Sequence, residues 1–407
     1  MTAQPFVLEL GRAMHALGSP SYRVEDTMDA CSRALGLEGS FFSTPTAIFA
    51  ALGEKGSEPK TSLLRVVPGA HDLGRLAELY AIRDAVVRRQ ESPEQGLERV
   101  REVLRRPLRH RRWADPLAHA WAGAGAGVLL GGGFVEAFVA AGAGLLVGLM
   151  ALASSLRAGL GDVQAPLACA VTAFLVHIVA VSGVQLDTTI TTVAAIVVLL
   201  PGLSFTTSLA ELAMRHLAAG SARLMGTLAV LLTMGVGVGI GDRCAELLTH
   251  RLTAVETARL PWGWHVAGLL ATWLAFVVLL RVSRNQVVWV LFAVGIGYGG
   301  ARLGGGGDLG AFLGALLVAA SANLFARWQR RPAAIVRTPG LLLLVPGSLG
   351  FRGLTIAANG EYPASVQLLL HMLLVGGAIV AGLLMAGVLL PPPLDVEPDS
   401  RRRPTVS

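Results

Sequence analysis

The sequence predicts a polytopic α-helical membrane protein: ten transmembrane helices arranged as an inverted 5+5 repeat, with a small α+β N-terminal domain in the cytoplasm. Three observations carry that expectation. Of 407 residues, 53% are hydrophobic and 15% charged, with mean hydropathy +0.59, whereas a soluble domain carries about 25% charged residues. Charge is segregated, since residues 1–113 hold 17 Lys/Arg and 14 Asp/Glu while residues 114–390 hold 14 Arg and 10 Asp/Glu. The body also divides into apolar runs of about 20 residues, the length that crosses a hydrocarbon core of about 30 Å.

In the N-terminal domain (1–113), helices are expected at 6–17 and 22–35. A hairpin of two extended runs (40–52 and 62–67) follows around the turn 53–59, then helices at 72–90 and 93–105, with Asp72 and Ser92 as N-caps. The first membrane repeat (114–242) contains spans near 115–132, 134–155, 164–184, 189–217 and 221–241. After a linker (243–263), the second repeat (264–390) contains spans near 264–281, 285–303, 308–327, 334–358 and 365–390. Pro391, Pro392 and Pro393 end the last span, and the tail 391–407 reads as disordered. Glu136, just after Gly131, Gly132 and Gly133, reads as a loop residue, and 304–307 as a flexible glycine turn.

Basic residues cluster at 101–112 and 401–403. With the N-terminal domain inside, nine arginines (157, 215, 223, 281, 284, 327, 330, 331, 337) fall at inner junctions against five outside (243, 251, 259, 302, 352). Positive charge concentrates on the cytoplasmic side of membrane proteins, so both termini are expected in the cytoplasm and the protein in the cell's inner (plasma) membrane. The same placement assigns the net charge of +7 to anionic lipid rather than nucleic acid. No secretory signal peptide is expected from residues 1–30.

The two halves echo each other. A hydrophobic run breaks at Pro201-Gly202 in the fourth span and at Pro346-Gly347 in the ninth, 145 residues apart; Gly161-Asp162 and Gly307-Asp308 open the third and eighth spans, 146 apart. Five is odd, so a tandem copy enters the membrane inverted, as in secondary transporters. Proline lacks an N–H and clashes with the preceding turn, which makes each Pro-Gly a break. Beyond the first, Ser204, Ser208, Glu211 and Arg215 share a helical face; beyond the second, Ser348, Arg352, Thr355 and Asn359 follow the same spacing.

One half thus offers a carboxylate, Glu211, and the other a guanidinium, Arg352, to complement the ammonium and carboxylate of an amino acid. The half-helix N-termini at Pro201-Gly202 and Pro346-Gly347 offer N–H groups, and Ser204, Thr207, Ser208 or Ser348 can meet a substrate hydroxyl. The alternative is a kinked structural helix in which Glu211 pairs with Arg215. His177, in an apolar third span opposite Asn323 in the repeat, is the candidate proton carrier together with Glu211; its alternative is a histidine hydrogen-bonded between helices. His371 is a weaker candidate of the same kind.

Other chemistry is disfavoured. Cys31, Cys169 and Cys244 have no metal-ligand spacing, so neither a disulfide framework nor a zinc site is expected. Gly235, Gly237, Gly239 and Gly241 lie inside a span without a preceding strand and read as small residues for close helix packing, not a dinucleotide loop. Lys55 and Lys60 are the only lysines and neither follows a glycine, so the chain holds no phosphate-binding GxxxxGK[ST] motif. No cofactor is expected.

The stretches 18–25 (GSPSYRVE), Pro201-Gly202 through Glu211-Leu212, 216–223 (HLAAGSAR) and 344–352 (LVPGSLGFR) resemble the threonine/serine exporter family across nearly the whole chain. The resemblance implies a cytoplasmic N-terminal region, ten spans in two five-span halves, and efflux of threonine and serine; some relatives are linked to small carboxylates. It also sets Tyr22, Arg23, Glu25 and Asp26 in a family-like stretch, where they can form a regulatory or catalytic surface or help the domain close the inner mouth. Arg223 joins the candidate substrate residues on chemical grounds, since a small dicarboxylate would favour Arg352, Arg223 and the helix N-termini over Glu211.

The expectation is therefore a non-enzymatic, proton-coupled exporter of threonine and serine, embedded in the bilayer and open to homo-oligomer formation. A small-dicarboxylate exporter of the same fold is the first rival. A membrane-tethered enzyme or sensor working through residues 1–113 is the second.

Overall fold

The computed structural model describes residues 3–107, 110, 112–157, 159–249, 260–358 and 360–392; most of the expected tail, and 250–259 of the expected linker, lie outside them. The N-terminal region, here the head, contains α1 (Ala3–Ala16), α2 (Ser21–Ala34), β1 (Leu37–Thr44), β2 (Ala47–Glu54), β3 (Lys60–Arg65), α3 (Leu73–Val87) and α4 (Pro93–Arg105). The strands form one antiparallel sheet in the order β1-β2-β3. Phe6, Leu10, Met14, Met28, Ile48, Leu79, Ile82 and Val100 are buried together between helices and sheet.

The N-caps fall where expected. Asp72 accepts from Arg75 N at 2.8 Å, and Ser92 forms a reciprocal capping box with Gln95, each worth about 1 kcal/mol. The expected two-stranded hairpin is instead three strands, because 40–52 folds back at Pro45-Thr46 so that Thr44 pairs with Ala47. Proline has no N–H to give a ladder, and a strand of that length cannot pass through it.

The body contains α5 (Ala114–Leu129), α6 (Phe134–Leu156), α7 (Gln164–Val181), α8 (Thr188–Ala195), α9 (Gly202–Ala213), α10 (Leu217–Leu248), α11 (Trp264–Leu279), α12 (Val287–Leu303), α13 (Gly307–Gln329), α14 (Ala334–Leu344), α15 (Gly347–Ala358) and α16 (Tyr362–Leu389). Seven stretches are long and apolar enough to cross a membrane, and eight if α8 and α9 form one bent span. The chain is thus a polytopic helical membrane protein. The expected count of ten is not met by length, since α5 and α11 have 16 residues each, about 24 Å of helix against a core of about 30 Å. The fifth expected span also extends further, α10 reaching Leu248 and absorbing the start of the expected linker. Gly305, Gly306 and Gly307 all take positive φ between α12 and α13, a turn that glycine alone makes without strain.

Both hydrophobic runs break where Pro-Gly occurs. After α8 the chain makes a 3-10 turn (Val197–Leu199), passes Pro201 at φ −80, ψ 40, and resumes as α9 bent by 56°. The second break falls at Val345, whose ψ of 137 leaves the helix. The two breaks touch, for a Cβ at Gly347 would lie 3.1 Å from Gly202 Cα. The broken spans run in opposite directions: α9 ends against the head, while α15 leaves it, Gly350 facing Leu231 and Leu354 facing Gly235 further along α10.

The packing partners of the halves correspond. α7 packs on α10 as α13 does on α16, α6 on α8 as α12 on α14, and α9 on α10 as α15 on α16; the cross-contacts α10 with α15 and α9 with α16 also match, and α5 packs on α11. Lipid supplies no hydrophobic drive for helix association, so small residues that let backbones approach carry the packing. Gly237 and Gly241 of α10 lie directly against Pro166 and Ala170 backbone of α7, whereas nothing lies within 4 Å of a Cβ at Gly226. Gly241→Ala is therefore expected to lose about 1–3 kcal/mol through overpacking, while Gly226→Ala is neutral or stabilising; thermal unfolding of the purified protein in detergent separates them.

Candidate functional site

The family-like segments, remote in sequence, converge where head meets body. Helix α2 begins at Ser21 after Pro20, so its early N–H groups have no partner within the helix. Glu211, the last-turn acid of α9, fills that gap: its Oε1 accepts from Ser21 N at 3.0 Å. The same carboxylate takes two bonds from Arg223 of α10, Nε to Oε2 and Nη2 to Oε1, both 2.9 Å. Glu211 is fully buried. A second contact runs beside it, Glu25 lying 3.5 Å from His216 and accepting from Ser43 N at 2.7 Å. Burial raises the Glu25 carboxyl above its ordinary value, opposed by the Ser43 bond and His216. His71 is held below its ordinary value by burial and then by the charge of Arg223, and it packs on Gly18, whose φ of +89 and missing Cβ leave room for the ring. Further along, Leu73 N donates to Leu280 O at 3.0 Å.

Next to this seam lies a cavity of about 1880 Å³ between α2, α3, α9, α13, α14 and α16. Its walls carry Arg23, Arg83, Arg88 and Arg89 from the head and Arg327, Arg330, Arg331 and Arg337 from the body, against Asp26 and Asp84. That imbalance attracts anions. Leu203, Thr206, Thr207, Ala210 and Met214 present one face of α9 to it. Thr206 Oγ1 is buried there without a hydrogen-bond partner among the described residues.

Of the residues singled out from sequence for substrate, Thr207 alone lines this cavity. Pro201, Gly202, Pro346 and Gly347 form the crossing of the breaks above it. Ser208 is buried and donates to Phe205 O at 2.6 Å; Ser204 and Ser348 are half-buried. The expected Glu211 and Arg352 pair is not formed. Glu211 faces α10 and the head, whereas Arg352 sits on α15 within the field of Asp187, the N-cap at the other end of the broken span from Glu211. The alternative pair also fails, for Arg215 lies beyond α9 at φ 67, exposed.

His177 lies at the end of α7 far from the head, 3.4 Å from Thr249 Oγ1 and close to Asp242. Its repeat partner Asn323 bonds Leu390 O at the head end. His371 meets Asp308 at 3.4 Å. Glu136 is no loop residue: it is buried, capping α6 through Gly133 N at 2.7 Å and binding Asp187 N at 2.9 Å. The sequence reading passed over Thr206, Asn323 as an Arg337 partner, and Arg337 as a cavity residue; the signal available was an arginine, Arg337, two residues before Pro339 in an otherwise apolar span.

A helical body with two crossed broken spans and a solute-sized cavity beneath a folded head is the form of a multi-pass membrane transport protein. The chain belongs to the threonine/serine exporter family: residues 5–245 match the family's ThrE profile, and residues 266–389 match a second profile described as threonine/serine exporter, ThrE. It is 23% identical over 367 residues to an uncharacterized protein of Schizosaccharomyces pombe, covering 86% of this chain and 48% of that protein. It is also 24% identical over 371 residues to pheromone-regulated membrane protein 10 of Candida albicans (87% of this chain, 33% of the relative). The Saccharomyces cerevisiae protein of the same name is 22% identical over 357 residues (84% and 46%). The chain thus spans a third to a half of the length of these fungal relatives. No solved structure matches it.

Removing one partner of a buried, hydrogen-bonded ion pair leaves the other charge unpaired, at a cost of about 3–5 kcal/mol. Glu211→Gln is expected to lose about that much stability and to loosen the head, read as a lower unfolding temperature and faster limited proteolysis between residues 1–113 and the body.

Proposed function

We propose that this protein is a secondary active exporter of threonine and serine, working by alternating access between two inverted five-span halves. The observation that carries the reading is the cavity. It lies among α9, α13, α14 and α16 at the head end and reaches Leu203, the residue after the Pro201-Gly202 break. Beyond it both sets of helices are packed, α7, α8, α10 and α15 on Cys169, Val193, Leu231, Met234 and Phe351, and α13, α14 and α16 on Val318, Leu341 and Ile379. In this reading the cavity is the half-path with access to one face of the membrane.

The reading counts α5 and α11 as short spans packed on each other, giving ten. It places the head and both termini in the cytoplasm, on the grounds that Arg215, Arg223, Arg281, Arg327, Arg330 and Arg331 gather at the head end, and the body in the plasma membrane. The touching Pro-Gly breaks serve as the hinge, Thr206 and Thr207 meet the substrate hydroxyl, and Glu211 with Arg223 latches the head over the inner mouth. The excess of arginine on the cavity wall favours a second reading, export of small dicarboxylates such as succinate by the same route.

Counterflow of labelled threonine, serine and succinate in proteoliposomes decides between them. Threonine and serine exchange is the expected result; exchange of succinate alone selects the second reading, and exchange of none rejects both. For coupling, His177 is assigned the proton, beside Asp242 at the far end. His177→Ala is expected to flatten the pH dependence of export while leaving counterflow intact, and an unchanged pH profile removes His177 from that role.

A further inference from the structure

One guanidinium in the cavity is held by neutral groups. Arg337 lies in the first turn of α14, where its Nη2 donates to Asn323 Oδ1 at 2.8 Å. Its Nε is sealed from solvent and has no hydrogen-bond partner among the described residues. The ionisable side chains that bear on it, Arg23, Tyr80 and Tyr22, the last also hydrogen-bonded to it, all come from the head, and none is a carboxylate. Two other cavity arginines are engaged: Arg327 holds Pro391 O through Nε at 3.1 Å and Nη2 at 2.6 Å, and Arg83 grips Asp84 at 2.7 Å.

Asn323 is committed too, its Nδ2 donating to Leu390 O at 2.7 Å. The amide therefore fixes the direction of the guanidinium without supplying the negative charge it lacks. A cation inside a membrane protein without a counter-ion is costly and marks a pathway or a ligand. A planar guanidinium with an unpaired Nε–H and further donors held only by neutral groups suits one ligand class above others, a carboxylate.

We propose that Arg337 anchors the carboxylate of the transported solute, with Asn323 orienting the guanidinium and the Tyr22 hydroxyl of the head completing the site. This rests on the exporter reading above and names the residue that holds the carboxylate its candidate solutes share. Tyr22 follows Ser21, whose N–H binds Glu211, so one turn of α2 both latches the head and touches the solute. The substrate site is composite, and binding ties head to body.

The test is equilibrium binding of labelled threonine, serine and succinate to the full-length protein in nanodiscs. Arg337→Gln is expected to weaken whichever probe binds by about tenfold or more, the range of a hydrogen bond to a charged group. Arg33→Gln, on an exposed helix face of the head, should leave binding unchanged. Threoninol and succinamide, which lack the carboxylate, should not displace the probe. Affinity retained within twofold in Arg337→Gln, or displacement by these analogues without a carboxylate, overturns the anchor but leaves the exporter reading standing. Should Arg337→Gln fail to fold, the competition on the wild-type protein decides alone. If the folded wild type binds none of the three probes, the exporter reading falls and the anchor with it.

Discussion

Inside hydrocarbon an unpaired peptide group costs about 2–7 kcal/mol, so a spanning helix can be interrupted only where protein surrounds the interruption. Pro201-Gly202 and Pro346-Gly347 satisfy that condition for each other. Their glycines leave no side chain between the two backbones. The rest of the body follows from this crossing. The broken spans run in opposite directions through it, and the helices around them pair in matching sets; the arginine-rich cavity lies at the head end, and Leu231, Met234 and Phe351 pack with Phe205 beside the crossing.

The head is held to this body by chemistry, not by apolar area alone. Glu211 is the centre of that seam, since its two oxygens serve the N-terminus of α2 and both arms of the Arg223 fork at once. A carboxylate at a helix N-terminus is favoured by the helix dipole as well as by the open N–H groups. The first residues of α2 face both Glu211 and the cavity.

Much of this was legible in the residues. The apolar runs located the helices of the body to within a few positions because length and hydropathy are local properties, and the Pro-Gly pairs announced their breaks for the same reason. The errors have physical sources. The run 40–52 reads as one strand by composition, yet Pro45 forbids a ladder there, and the placement of Glu136 is hidden from the sequence because its partners, Gly133 N and Asp187 N, are backbone groups that no side-chain pattern reveals. Ser204, Ser208 and Glu211 do share a helix face, but that face turns to α10, while the neighbouring face with Thr206 and Thr207 lines the cavity.

The sequence by itself determined that the chain is a membrane protein, where its helices lie and where two of them break, since these depend on side-chain transfer energy and on proline's missing N–H. Only the tertiary structure decided which charges meet. Glu211 and Arg223 are 12 residues apart, Asn323 and Arg337 14 apart, each pair on two different helices. Spacing along one helix describes a stripe, but the partner of that stripe depends on how each helix is rotated about its axis, which is settled by the packing of small residues against neighbouring backbones.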